Sequence, residues 1–247
     1  MANSLVDKCV LVTGAAKRVG AAIARAAHAE GANIAIHFRS SRTPAETLCG
    51  ELNALRANSA VAIQADLLDT QSHPRLVQQT LATFGRLDVL VNNASTFYPT
   101  PMSTITEAQW QDLMGSNLKA PLFLSQAATP ALKTTQGLIL NLVDIHALRP
   151  LLKHPVYSVA KAGLLMLTQS LARELGPEIR VNGISPGPVM WPAAIDQTLK
   201  EEIISKTALK RSGSPEDIAR TAVFFMKDAP FVTGQILAVD GGRSIGW

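Results

Sequence analysis

Lys8-Cys9-Val10-Leu11-Val12-Thr13-Gly14-Ala15-Ala16-Lys17-Arg18-Val19-Gly20 is the most telling stretch of the chain. A short apolar, β-branched run passes through a glycine turn straight into a segment of helical periodicity. That order is the strand-to-helix half of a parallel crossover. The alternation repeats to the far end. Strands fit residues 8–13, 33–38, 60–64, 89–92, 138–143, 180–184 and 235–239, and helices fit 18–30, 43–57, 71–84, 107–129, 157–175 and 215–227. Strands joined by helical crossovers run parallel in one sheet with helices on both faces. The expectation is an α/β fold: a doubly wound parallel sheet of about seven strands, in a single domain over 1–247 that no linker or repeat divides.

Composition narrows the class. With 47% hydrophobic and 17% charged residues, 247 residues can bury a substantial core and do not read as disordered. No apolar run approaches the ~20 residues that span a bilayer, and residues 1–7 lack the basic and apolar regions of a signal peptide. Cys9 and Cys49 stand in no metal-type spacing, so no metal is expected, and reduced thiols in a cytoplasmic protein are the expectation. The net charge is +4, but Lys17-Arg18 and Lys210-Arg211 are the only adjacent basic pairs and aromatics make up 5%. Scattered charge of this kind argues against nucleic acid and suits an anionic small cofactor equally well.

Gly14 permits a tight turn, and backbone N–H groups at the start of the following helix favour an anion. The turn is not a full G-x-G-x-x-G. Only Gly14 and Gly20 stand at useful spacing, and Arg18, followed by Val19, takes a middle glycine position. Arg18 obstructs close backbone approach, yet its guanidinium can itself pair with phosphate. After the second strand the chain reads His37-Phe38-Arg39-Ser40-Ser41-Arg42, with no carboxylate until Glu46. An NAD site usually places an acid there for the ribose hydroxyls. Arg39, helped by Ser40, Ser41 and His37, suits a 2′-phosphate instead, so NADPH is favoured over NADH. A solvated basic turn is the structural alternative.

Tyr157-Ser158-Val159-Ala160-Lys161 heads another helical segment. Tyr157, Lys161, Leu164, Thr168, Leu171 and Leu175 share one stripe, which points a lysine towards the interior. An unpaired buried ammonium is costly, so it should have a partner or a task. A positive charge one turn from a phenol favours phenolate, making Tyr157 a better proton donor or acceptor near neutrality. The alternative is an amphipathic helix with both residues at its edge. Residues 185–214 contain Pro186, Gly187, Pro188, Pro192 and Gly213 and a short helical candidate over 194–209. A substrate lid at 187–213 is expected, against an ordinary surface excursion.

With the turn, the Tyr-x-x-x-Lys helix and Asn92-Asn93-Ala94 in order, the chain resembles the short-chain dehydrogenase/reductase family from its first strand through Asp240-Gly241-Gly242. That family's sheet is Rossmann-like. It usually has Gly where Arg18 stands, and Ser where Asp144 ends Leu138-Ile139-Leu140-Asn141-Leu142-Val143-Asp144. Both departures resemble the pteridine reductase branch, as does Asn92-Asn93-Ala94-Ser95-Thr96-Phe97-Tyr98-Pro99-Thr100-Pro101.

The resemblance implies NADPH-dependent reduction of dihydropterins, with dihydrofolate and oxidised pterins as further candidates. It implies that Tyr157 donates the proton, while Lys161 tunes it and bonds the nicotinamide ribose. Asn117, beside the stripe of Trp110, Leu113, Met114, Leu118 and Leu122, would lead a water relay to the lysine; the alternative is a satisfied core amide. Asp144 leaves the carboxyl end of its strand, the edge where chemistry belongs. It would hold the phenol or relay a proton, or else serve as a helix N-cap. Asp66 and Leu67 resemble the adenine contact, Asn93, Ala94 and Ser95 line the cofactor, and Pro186-Gly187 flanks the nicotinamide amide. Arg18 and Ser95 would bridge cofactor phosphate and the pterin's polar edge. Phe97 would sandwich the pterin against nicotinamide, as its place beyond the fourth strand allows, unless it merely plugs the core. Trp191 would roof the substrate or pack on its own segment, and His146 and His154 read as loop histidines. The competing activities are a carbonyl reductase acting on a ketone or 3-oxoacyl thioester, and an NADPH-sensing regulator. A homotetramer built through the helices of Asn117 and Tyr157 is implied, with Arg243 or Trp247 reaching a neighbour's site.

Overall fold

Seven strands line up in the order β3-β2-β1-β4-β5-β6-β7 in a computed structural model that describes residues 4–191 and 196–246. They are β1 Cys9–Val12, β2 Asn33–Phe38, β3 Ala60–Gln64, β4 Val89–Asn92, β5 Leu138–Leu142, β6 Arg180–Pro186 and β7 Ile236–Val239. Every neighbouring pair is parallel. The helices are α1 Arg18–Ala29, α2 Arg42–Leu55, α3 Ser72–Phe84, α4 Glu107–Met114, α5 Ala120–Thr135, α6 Pro155–Leu175, α7 Gln197–Ser205 and α8 Pro215–Lys227.

Side-chain alternation divides each central strand between two cores. Val10 and Val12 of β1 join Ile23 of α1, Leu48 of α2 and Phe225 of α8 on one face. Cys9 and Leu11 join Leu76 of α3, Leu124 of α5 and Ala172 of α6 on the other. Strands covered on both faces are near-continuous apolar runs, which is why the sequence showed them so clearly. The strand order reverses between β1 and β4, and ligands of such sheets lie in the crevice at the carboxyl ends beside that reversal.

Polar groups fasten the crevice to the sheet. Thr13 Oγ1 accepts from the N–H groups of Asn93 and Ala94, both at 2.9 Å, and Asn93 Nδ2 donates to the Thr13 and Gly14 carbonyls at 2.8 and 3.2 Å. Gly14 N–H donates to His37 Nδ1 at 3.1 Å, so the His37 proton sits on Nε2, facing the Ala65 carbonyl at 3.1 Å. Burial holds this imidazole neutral, pushing its pKa down to about 4. Deeper in the core, Asn92 Nδ2 donates to Asn141 Oδ1 and Ser125 Oγ, and Asn141 Nδ2 donates to Thr168 Oγ1 at 2.9 Å. This satisfied chain ties α5 and α6 to β4 and β5 without leaving a buried amide unpaired.

Two helices depart from their expected form. The helix expected over 107–129 continues through a π-helical turn, Gly115–Lys119, and past Pro130 to Thr135. Proline costs one helical bond, but burial of Leu132 and the bond from Thr135 Oγ1 to the Leu87 carbonyl at 2.8 Å hold the last turn in place. The helical candidate over 194–209 is described only as α7, Gln197–Ser205, and residues 192–195 lie outside the described residues.

Gly20 is where α1 meets the crevice. A Cβ there would lie 2.6 Å from both Asn93 Nδ2 and the Gly14 carbonyl oxygen, whereas one at Gly50 in α2 meets nothing within 4 Å. Helical glycine costs ~1 kcal/mol relative to alanine. Gly50→Ala should therefore raise the urea midpoint, while Gly20→Ala should lower it by the equivalent of ~1–3 kcal/mol. Equal shifts for the two variants would contradict the close packing.

Candidate active site

Tyr157 and Lys161 lie one turn apart on the inner face of α6, where they are 5% and 3% exposed. The phenol donates to Asp144 Oδ2 at 2.7 Å. The ammonium donates to the Leu142 carbonyl at 2.8 Å and stands 5.7 Å from the Tyr157 ring centre. Burial lowers the Lys161 pKa to about 8, opposed by the Asp144 charge. Burial also raises the Tyr157 pKa well above its ordinary range, and the Asp144 charge and hydrogen bond add to the shift, against a smaller opposing contribution from Ser95. The expected lowering of the phenol by Lys161 is therefore reversed. Burial, reinforced by the adjacent Asp144, keeps the proton on the phenol.

Asp144 both holds the phenol and caps a turn, two of the roles its position suggested. Its Oδ1 caps the 3₁₀ turn Ile145–Ala147, accepting from His146 N–H at 2.9 Å, while Oδ2 holds the phenol. Asn117 lies within the π turn and is 1% exposed. Its Nδ2 donates to the Thr96 and Leu113 carbonyls at 3.0 and 2.9 Å, and its Oδ1 accepts from Ser95 Oγ at 2.6 Å. A π turn adds one residue to a helix and re-aims those beside it. Here it turns Asn117 and Ser116 onto the loop that follows β4.

Phe97 is 51% exposed at the crevice mouth. Its ring meets Tyr157 edge-on, with centres 4.8 Å apart and planes at 78°, and stacks at 4.8 Å and 9° on His154. The sequence reading missed His154 as part of this wall. Its signal was the spacing of three from Tyr157, which puts both on one helical face. His146 lies aside, with Nδ1 against the Arg149 carbonyl at 2.9 Å.

The turn into α1 combines two left-handed residues with an uncapped helix start. Gly14 has φ +61°, and Arg18 adopts φ +56°, a left-handed conformation that glycine would hold without strain. Lys17, the α1 N-cap, makes no side-chain cap bond, and the first turn carries no acid. An uncapped helix start beside two cations and no acid favours an anion; Val19 packs back on the core. Arg39 and Ser40 are exposed beyond β2, and Phe38 is buried beneath Arg42, whose guanidinium carbon lies 5.5 Å from the ring centre. Ser41 is the N-cap of α2 and makes no side-chain cap bond. Asp66 Oδ1 accepts from Leu68 N–H at 3.0 Å, with Leu67 buried between them. Gly187, after Pro186, crosses so near Asp240 that a Cβ would lie 2.6 Å from its Cα. Trp191 is engaged within its own segment: Nε1 donates to Ser212 Oγ at 3.2 Å, and Lys200 Nζ lies 5.6 Å from its ring centre. Trp247 lies outside the described residues. Among the described residues no cluster of His, Cys, Asp or Glu could hold a metal ion, and no helix is long and apolar enough to cross a membrane.

Comparison with known proteins agrees with this layout. A family model described as enoyl-(acyl carrier protein) reductase matches residues 14–244. The chain is 37% identical to pteridine reductase 1 of Leishmania tarentolae over a 286-residue alignment covering 99% of each protein. It is 35% identical to a 3-oxoacyl-(acyl-carrier-protein) reductase of Staphylococcus aureus, covering 96% of this chain and 98% of the other. A blue fluorescent protein from a metagenomic library, solved with NADPH, superposes with a TM-score of 0.91 at 35% identity, covering 97% of this chain and 99% of the other.

Lys161 gives the site a measurable pH signature. Its folded pKa of about 8 lies below the ordinary 10.5, so between these values the unfolded chain binds more protons. This residue's contribution therefore makes stability rise with pH from about 8 to 10.5, and is constant outside that window. Subtracting urea stabilities of Lys161→Met from those of the wild type should isolate that rise. A difference that stays flat from pH 7 to 10.5 would contradict the buried ammonium.

Proposed function

The chain belongs to the short-chain dehydrogenase/reductase family as an NADPH-dependent oxidoreductase, and within it we propose a pteridine reductase acting on dihydropterins, with dihydrofolate and oxidised pterins as further substrates. One observation carries this reading: an aromatic wall, Phe97, meets the edge of a phenol that is itself bonded to a carboxylate. The common family pattern has serine in place of Asp144. Serine suits a carbonyl substrate, whereas a carboxyl beside an aromatic face suits the ring nitrogens and flat surface of a pterin.

The residues present fit NADPH. Gly14 holds the left-handed turn against Ala94, the uncapped α1 terminus and Lys17-Arg18 suit the pyrophosphate, and Arg39, with no ion pair among the described residues, suits the 2′-phosphate. When bound, the reduced nicotinamide supplies the hydride. Tyr157 Oη, kept protonated, gives its proton to the ring nitrogen beside the reduced carbon, and Asp144 holds the phenol oriented until then. Lys161 supplies positive charge as the proton leaves, steadying the phenolate. Asn117 and Ser95 fix the loop beneath the reacting centre, and Phe97 orients the substrate by stacking.

A carbonyl reductase of 3-oxoacyl thioesters is the second reading, favoured by the staphylococcal relative. Phe97 and Asp144 weigh against it. The complete Tyr157, Lys161 and Asn117 set weighs against a regulator without turnover. Exposed Leu122 and Phe123 on α5 and Val159 and Met166 on α6 support assembly through these helices as a homotetramer.

With NADPH and dihydrobiopterin, Tyr157→Phe should lower kcat by ~10²–10⁴-fold. Unchanged turnover would remove the proton assignment. Arg39→Ala should raise the NADPH KM about tenfold or more and leave that for NADH unchanged; parallel rises would contradict 2′-phosphate recognition. A wild-type enzyme reducing acetoacetyl thioesters but no pterin would transfer the assignment to the second reading.

A further inference from the structure

The loop carrying Phe97 is pinned at nearly every residue except Phe97 itself. Ser95 Oγ donates to Asn117 Oδ1 at 2.6 Å, and Thr96 Oγ1 bonds Ser116 Oγ at 2.6 Å. Tyr98 Oη donates to Asp112 Oδ2 at 3.0 Å and to the Gln109 carbonyl at 3.4 Å. Thr100 N–H donates to the Lys153 carbonyl at 2.7 Å, immediately before His154. The first three anchors lie on α4 and its π turn, and the fourth lies in the segment that delivers the imidazole stacked on Phe97.

Tyr98 is the anchor next to Phe97 and differs from the others. Its ring packs against the cluster of Leu113, Val156 and Tyr157, so α4, α6 and the proton donor share one apolar contact. A phenylalanine would fill that space equally well. The hydroxyl is therefore spare for packing, and its one evident effect is to fix the ring, and the backbone before it, at a set height on α4. Its bond to an ionised acceptor is of the stronger kind. A half-exposed ring such as Phe97, whose ring contacts among the described residues are with His154 and Tyr157, depends largely on its backbone for its pose.

We infer that Asp112, acting through the Tyr98 hydroxyl, is a positioning residue that sets the pose of the Phe97 ring and with it the enzyme's grip on a flat heteroaromatic substrate. The substrate half of this inference rests on the pteridine reading; the positioning half rests on the geometry alone.

The test uses full-length Tyr98→Phe, Asp112→Ala, their double variant and Asp112→Asn, which retains an acceptor oxygen. Two properties are read: steady-state kinetics with NADPH and dihydrobiopterin, and the ring NMR signals of labelled phenylalanine, with Phe97 assigned through Phe97→Leu. Tyr98→Phe and Asp112→Ala should each raise the dihydrobiopterin KM about three- to tenfold, the worth of a stacking contact. They should leave kcat within about twofold and the NADPH dissociation constant unchanged. The double variant should be no worse than Tyr98→Phe alone, because Asp112 acts through the hydroxyl which that variant removes, and Asp112→Asn should recover most of the loss. Phe97 signals, displaced in the wild type by the neighbouring rings, should move towards free-phenylalanine positions in both single variants. An unchanged KM, a parallel loss of NADPH affinity, or Phe97 signals that stay at their wild-type positions would overturn the inference. If the wild type turns over no pterin, the substrate reading fails by itself and the Phe97 signals alone decide the positioning role: movement sustains it, constancy ends it.

Discussion

A phenol buried against a carboxylate is the constraint from which the rest of the site follows. At 2.7 Å the Tyr157–Asp144 bond requires one proton, and burial leaves it on the phenol. A site so arranged stores an acid, as a reductase needs at the moment hydride arrives. Lys161 complements it from behind, held by the Leu142 carbonyl instead of by the phenol. Its positive charge is therefore available when the phenol loses its proton, and is not consumed in holding the resting state.

Keeping three groups from β5 and α6 in register demands a stiff frame. The Asn92–Asn141–Thr168 chain supplies it from within the core, crossing two strands and reaching the helix that carries both Tyr157 and Lys161. The π turn supplies it from the other side, because one inserted residue lets Asn117 and Ser116 bond neighbouring positions of the Phe97 loop. The cofactor half has its own clamp in His37 and Asn93, which hold the glycine turn from behind. Rigid elements thus carry the polar groups, while the exposed side chains Arg39 and Phe97 are the ones proposed to meet cofactor and substrate.

Most of the fold was legible because strands buried on both faces are apolar runs and the helices between them keep a 3.6-residue period. Tyr157 and Lys161 were legible for the same reason: four residues apart on an apolar stripe, they had to face inward together. The π turn was not, since inserting one residue leaves no mark in composition. Helix α5 outran its expected end because packing of Leu132 outweighed the bond lost at Pro130. His37 looked like a phosphate ligand from its neighbours, but a buried ring with both nitrogens engaged serves the backbone first. The sense of the Tyr157 shift was misread because the depth of its burial and its contact with Asp144, which raise it, are invisible in a sequence.

The chain contains two tyrosines, Tyr98 and Tyr157, so the reserved acid can be observed directly. In a Tyr98→Phe background, ultraviolet titration follows Tyr157 alone. The account predicts no tyrosinate absorbance up to pH ~10, the ordinary tyrosine value, and an earlier onset once Asp144→Asn removes the charge that raises the phenol. Tyrosinate appearing between about pH 7 and 9 in the presence of Asp144 would contradict it.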